Sequence, residues 1–192
     1  MADLRIPSDT VSGAGRAAHD VALAALLGGN LFGRVAMHPA LAEVSEETER
    51  GKVLNGAWRR YGTVNSLALA TLLAGWLPAR LNEAAPRWLS PRERRLAVAK
   101  DVTMGAVVLT GVASAFAGVG FAHQARDGAV PMATGHDTAP NTPDRAMHIK
   151  RVVNALGALS LAADVALVAV DAALTQASFR RPPARRLLRW RY

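Results

Sequence analysis

The run VTMGAVVLTGVASAFAGVGFAHQA, residues 102–125, holds 24 consecutive residues without a charge. An α-helix rises about 1.5 Å per residue, so about 20 residues cross the ~30 Å hydrocarbon core of a bilayer. A soluble helix bare of charge over this length needs a large domain around it, and 192 residues do not supply one. The run therefore reads as a membrane span. Residues 61–79, YGTVNSLALATLLAGWLPA, form a second run of 19 uncharged residues. Two further apolar segments are interrupted. Residues 21–38 carry Asn30 and Arg34, and residues 152–174 carry Asn154, Asp164 and Asp171.

The expected fold is therefore all-α, a four-transmembrane-helix bundle with spans at 18–38, 61–79, 102–123 and 152–174. An N-terminal arm (1–17) and an Arg-rich tail (175–192) flank a membrane domain (18–174). Pro78, Pro86 and Pro91 punctuate the second loop, and Pro131, Pro140 and Pro143 the third, where helices are expected to stop. Residues 43–52, rich in Glu, read as a separate short surface helix after His38-Pro39.

Composition agrees with this reading. Hydrophobic residues make up 51% of the chain, charged residues 20%, and cysteine is absent. Without cysteine there are no disulfides, thiolate metal sites, iron–sulfur clusters or cysteine nucleophiles. The net charge of +8 invites a nucleic-acid reading until the charges are placed. Fourteen of the 23 basic residues fall on the face holding both termini and the loop around Arg87, against eight on the other. The positive-inside rule then puts both termini in the cytoplasm and the protein in the plasma membrane as a multi-pass protein. The six arginines of residues 180–192, with Trp190 and Tyr192, are expected to contact anionic lipid, and no nucleic-acid partner is expected.

Polar residues inside spans are costly and usually face a partner or a cavity. On the helical rise, Asp164 lies about 18 Å below the non-cytoplasmic surface, Asn30 and Ser114 about 12 Å, and Arg34 and Asn65 about 6 Å. Asn154 lies about 3 Å below it. That half of the bundle thus concentrates polar groups from all four helices. Two readings stand: interhelical hydrogen bonding, or a polar pocket opening to the outer face. Asp171, near the inner end, is expected to pair with Lys100 or Arg80, or to reach the interface. Four of five histidines sit at or beyond the outer surface. No cofactor is expected. If a metal or haem binds, the three helix-end residues His38, His123 and His148 are the ligand candidates. No nucleophile-elbow, P-loop or dinucleotide motif appears.

The order Gly33, Met37-His38-Pro39-Ala40-Leu41, an acidic segment, Trp58-Arg59-Arg60-Tyr61-Gly62 and Asn65 resembles the anthrone-oxygenase-like family of small four-helix membrane proteins. That family has a proline ending helix 1, a Trp-x-x-Tyr/Phe-x-x-Gly stretch entering helix 2, and an Asn with a nearby Arg at helix 4, where Arg151 and Asn154 stand here. The chain departs from it where Gly62 follows Tyr61 directly and where Asn65 lacks a following proline. Residues 150–154, KRVVN, replace Trp-x-x-Leu-Asn. The resemblance implies the bundle fold and oxidation of an aromatic anthrone by dioxygen without a classical cofactor. In such chemistry Arg34 would stabilise an enolate-like anion and His38 or His148 would remove the proton. Asn30, Asn65, Ser114, Asn154 and Asp164 would line the site, with Trp58 and Tyr61 stacking on a flat ligand. Arg34 has the competing role of snorkelling to headgroups, and Trp58 and Tyr61 that of interface anchors.

Three functions are carried forward. The first is a small subunit or partner of a membrane assembly, or a homo-oligomer. The second is a membrane oxidoreductase or oxygenase for a lipophilic aromatic or quinone-like substrate. The third is an oligomeric small-solute or proton transporter using Asp164.

Overall fold

The computed structural model describes residues 8–81 and 84–179. Much of the Arg-rich tail, with Trp190 and Tyr192, and the first residues of the arm lie outside the described residues. Four long helices account for nearly all of the rest. Helix α1 (Ser8–Phe32) continues through a widened turn (Gly33–Met37), a further helical turn (His38–Ala40) and a 3₁₀ turn (Leu41–Glu43). Then come α2 (Glu47–Leu81), α3 (Pro91–Ala122) and α4 (Asp144–Phe179). All four are long and apolar enough to cross a membrane. Each expected span lies within one of these segments, apart from His123, which caps α3.

The local chemistry explains the boundaries. Ser90 accepts from the Glu93 amide while the Glu93 carboxylate accepts from the Ser90 amide, a reciprocal cap that starts α3 with Pro91 at its first position. Glu47 and Glu49 lie in the first turn of α2, where carboxylates favour the positive end of the helix dipole. Two expectations are corrected. The segment 43–52 is not a separate surface helix: a 3₁₀ turn ends at Glu43, and α2 runs unbroken from Glu47 into the membrane-length segment. Pro78 does not stop α2, which runs on to Leu81. A proline removes one backbone donor, and the surrounding helix tolerates that loss so close to its end.

With 25 to 36 residues, the helices exceed the ~20 that a bilayer needs, so they project beyond it. At the end opposite the termini, the projecting turns of α2 and α4 are roofed by the 123–143 loop. Leu41, Leu54, Phe121, Val130, Met132 and Ala146 form a cap core there. Arg50 ties the cap together by donating to the carbonyls of Val44, Met132 and Ala133. Gly51 lies so close to the Val130 carbonyl that a Cβ would overlap it. Mid-bundle, Leu23, Leu26, Leu69, Leu72, Val107 and Leu167 make a dry apolar layer. Helices α1 and α2 pack as one pair and α3 and α4 as another. The pairs meet along α1–α4 and along a thin α2–α3 seam.

Candidate functional site

The polar side chains gather on the α1–α4 seam at the cap end, and Pro39 starts the arrangement. It has no amide hydrogen and crowds the turn before it, so the chain widens and the His38 amide donates five residues back, to Gly33. In a turn of that width the Arg34 carbonyl would look to residue 39 for a donor and find proline. The ring of His136, from the cap loop, sits beside the Arg34 carbonyl.

The hydrogen-bond directions then set both imidazoles. The indole N–H of Trp58 can only donate, and it faces His38 Nε2 at 3.3 Å. His38 therefore carries its proton on Nδ1 and donates it to His136 Nε2, 3.2 Å away. That leaves His136 carrying its own proton on Nδ1. Both rings are neutral in this chain of bonds. Burial and the positive charges of Lys150 and Arg34 hold the His136 imidazole below its usual value, against the opposing field of Asp137.

Two cations frame this pair. Lys150 is 4% exposed, and its Nζ donates to the Gly135 carbonyl at 2.7 Å. The Gly135 amide donates back to the His38 carbonyl, and a Cβ at Gly135 would overlap the His38 side chain. Arg34 donates to the Asn154 carbonyl at 3.0 Å, with room for the guanidinium provided by Gly157. Asn154 in turn donates to the His136 carbonyl at 2.8 Å. Neither cation forms an ion pair with a carboxylate among the described residues.

One turn deeper, Asn30 donates to Asp164 Oδ2 at 2.7 Å and lies 3.4 Å from Ser160 Oγ. Asp164 is fully buried, and its other oxygen, Oδ1, has no partner among the described residues. Tyr61 seats its ring on Gly29 and donates to the Ala25 carbonyl, and Trp58 seats on Gly33. The Gly29/Gly33 pair thus receives aromatic rings from α2.

Of the expected site residues, Asn30, Arg34, His38, Trp58, Tyr61, Asn154 and Asp164 come together along this seam. Four others do not join it. His123 and His148 are exposed, so the anticipated convergence of His38, His123 and His148 is corrected: the imidazole beside His38 is His136. Asn65 lines a groove of about 290 Å³ between α2 and α3, with Leu69, Gly111, Phe116 and Val119. Ser114 is half-buried on α3, and its buried hydroxyl has no partner among the described residues. His136 was missed as a site residue. Its signal is a Thr-Gly-His-Asp turn inside a 21-residue interhelical loop (123–143), a length that ordinary connections seldom reach.

The termini end is built differently. Lys100 pairs with Asp171 at 2.5 Å, as anticipated, and its ammonium lies 4.1 Å from the centre of the Trp76 ring. His19 faces the Leu72 carbonyl through Nδ1 and Asp171 through Nε2, so both acceptors are met when both nitrogens carry protons. Arg80, the other candidate for Asp171, pairs instead with Asp101, which also accepts from Trp76.

Among the described residues, His19, Asp20 and Asp171 are the three-ligand group compact enough for a metal ion. The Lys100 ammonium already on Asp171 favours the ion-pair role. His38 Nδ1 and His136 Nε2 have a spacing that two metal-bound imidazoles could share, but Arg34 and Lys150 beside them repel a cation. Comparison with protein-family models, with curated proteins and with solved structures gives no match, so the family resemblance rests on the sequence motifs alone.

Proposed function

We propose that this integral membrane protein binds a lipophilic aromatic or quinone-like molecule at the cap end of the α1–α4 seam, and that the site serves its oxidation. One observation carries the reading: a fully buried carboxylate, Asp164, keeps one oxygen unpartnered below Arg34. An unpaired buried acceptor is expensive, and such groups concentrate at sites of function. Both nitrogens of His38 are engaged, so Asp164 Oδ1 replaces it here as the acceptor for a ligand hydroxyl. The hydroxyl proton would pass to Asp164, Arg34 would hold the resulting anion, and dioxygen, the oxidant that the family resemblance implies, would take the electrons.

Purified protein in mild detergent is expected to bind 2-naphthol, quenching indole fluorescence, and Asp164→Leu is expected to abolish this. Absence of binding, or binding indifferent to Asp164, overturns the reading. The transporter reading draws less support, because the layer of Leu23, Leu26, Leu72 and Leu167 separates Asp164 from His19 and Asp171.

A second reading, a subunit of a larger assembly, is favoured by Asn65. Its amide has no hydrogen bond among the described residues and lines an open groove on the thin α2–α3 seam. Amides at membrane depth commonly bond across helices. A single species at the mass of one chain plus detergent, unchanged by Asn65→Leu, would remove this reading. The basic-residue distribution supports a plasma-membrane topology with the cap outside, both termini cytoplasmic and the Arg-rich tail on anionic lipid. In this cysteine-free chain, Arg126→Cys is expected to label from outside intact cells and Arg87→Cys only after permeabilisation; the reverse pattern inverts the topology.

A further inference from the structure

We propose that the cap-end site takes its ligand as an oxyanion, a lipophilic aromatic acid whose carboxylate is held between Arg34 and Lys150. This rests on the proposed function and deepens it by naming the substrate class. Lys150 is nearly fully buried, yet a single backbone carbonyl accepts from its ammonium, which has three hydrogens to give. Arg34 carries five donors and meets the Asn154 carbonyl. Lys150 is bonded to the Gly135 carbonyl, and Arg34 to the carbonyl of Asn154, whose side chain bonds to His136 beside Gly135, so both cations flank one turn of the cap loop. The carboxylates nearby are otherwise engaged. Asp164 accepts from Asn30, and Asp137 sits exposed on the Thr134 hydroxyl.

The other buried lysine shows what balance looks like here. Lys100, equally buried, sits directly on Asp171. Burying a cation whose nearby carboxylate, Asp137, is exposed and not ion-paired with it is costly, and a bound carboxylate would supply a direct counter-charge and use the spare donors. The level of Asn30 lies about 6 Å along α1 from Arg34, one helical turn. An aromatic body of one or two rings spans that distance, with its carboxylate at the cations and its far edge toward Asp164.

The test uses 2-naphthoate, 2-naphthol and acetate on the full chain in detergent, read by indole quenching and by ligand-induced thermal stabilisation. Naphthoate is expected to bind at least tenfold more tightly than naphthol. Arg34→Gln and Lys150→Gln are each expected to erase that preference, while Arg34→Lys and Lys150→Arg keep most of it. Arg59→Gln, an exposed cation at the same end, should change nothing. If Lys150→Gln fails to fold, the Arg34 pair and Lys150→Arg still decide the matter. Equal binding of acid and alcohol, or a preference surviving Arg34→Gln, overturns the inference and leaves the proposed function standing. Acetate competing as strongly as naphthoate retains the anion site and removes the lipophilic ligand. Failure of both aromatics to bind overturns both.

Discussion

The two ends of the bundle bury the same kinds of residue and treat them in opposite ways. At the termini end, Lys100 pairs with Asp171 and Arg80 with Asp101, and His19 hydrogen bonds to Asp171. At the cap end, Lys150 and Arg34 donate to backbone carbonyls, Lys150 lies 5.5 Å from the centre of the Phe121 ring, and neither is ion-paired with a carboxylate among the described residues. The leucine layer between them keeps the two sets apart. A balanced buried network locks helices together. An unbalanced one holds positive potential in reserve, and that is a property of sites that receive a negative ligand. The difference is the basis for the proposed division into a structural end and a recognition end.

The largest expected effect lies at the balanced end. Asp171→Leu strands Lys100 and His19 in an apolar layer, and such breaks cost about 3–5 kcal/mol. Unfolding in mixed micelles should show this. The triple change His19→Leu, Lys100→Met, Asp171→Leu should recover most of the loss, because apolar packing replaces buried ion pairs at little net cost. If the triple variant stays as unstable as Asp171→Leu alone, the network is more than a lock.

The next effect is at the cap. Gly135→Val puts a branched side chain where His38 already stands, and overpacking of this kind costs about 1–3 kcal/mol. Faster hydrogen exchange at residues 132–139 should report the loosened loop, with the His19 region unaffected. Equal loosening at both ends would erase the contrast.

A smaller effect follows from His136. Its folded value is depressed, so the fold favours the neutral ring. The stability this gives is fully present above the usual imidazole value of about 6.5 and is lost as pH falls through the folded value. Acidification should therefore loosen the cap loop, and His136→Gln should remove most of that dependence. A cap that tightens on acidification contradicts the assignment. The smallest effect is expected for Asp164→Asn. The new amide oxygen can still accept from Asn30, so stability should change by no more than about 1 kcal/mol while 2-naphthol binding falls.

Much of this was legible in the sequence because a bilayer imposes a simple rule: charge-free stretches of sufficient length become spans. The i,i+4 spacing of Asn30 and Arg34, and the depth of Asp164, placed them at neighbouring levels, and the structure joins Asn30 to Asp164. Helix phase, however, turns the helix-end histidines away from the site. His148 precedes Lys150 by two residues, about 200° around the helix, so the turn that buries Lys150 exposes His148. The same separation divides buried Phe121 from exposed His123. His136 lay beyond any periodicity argument, because a loop residue is positioned by long-range contacts, here with Arg34, His38 and Asn154. The widened turn before Pro39 was hidden as well: a proline announces a missing donor, but not which group sits beside the freed carbonyl.

The contrast between the ends is tested most directly by comparing Lys100→Met with Lys150→Met in one unfolding titration, with and without 2-naphthoate. The account predicts that Lys100→Met lowers stability strongly yet keeps the stabilisation conferred by the ligand. Lys150→Met should change stability little and lose that stabilisation. If the two variants respond alike in both readouts, the division into a structural end and a recognition end is wrong.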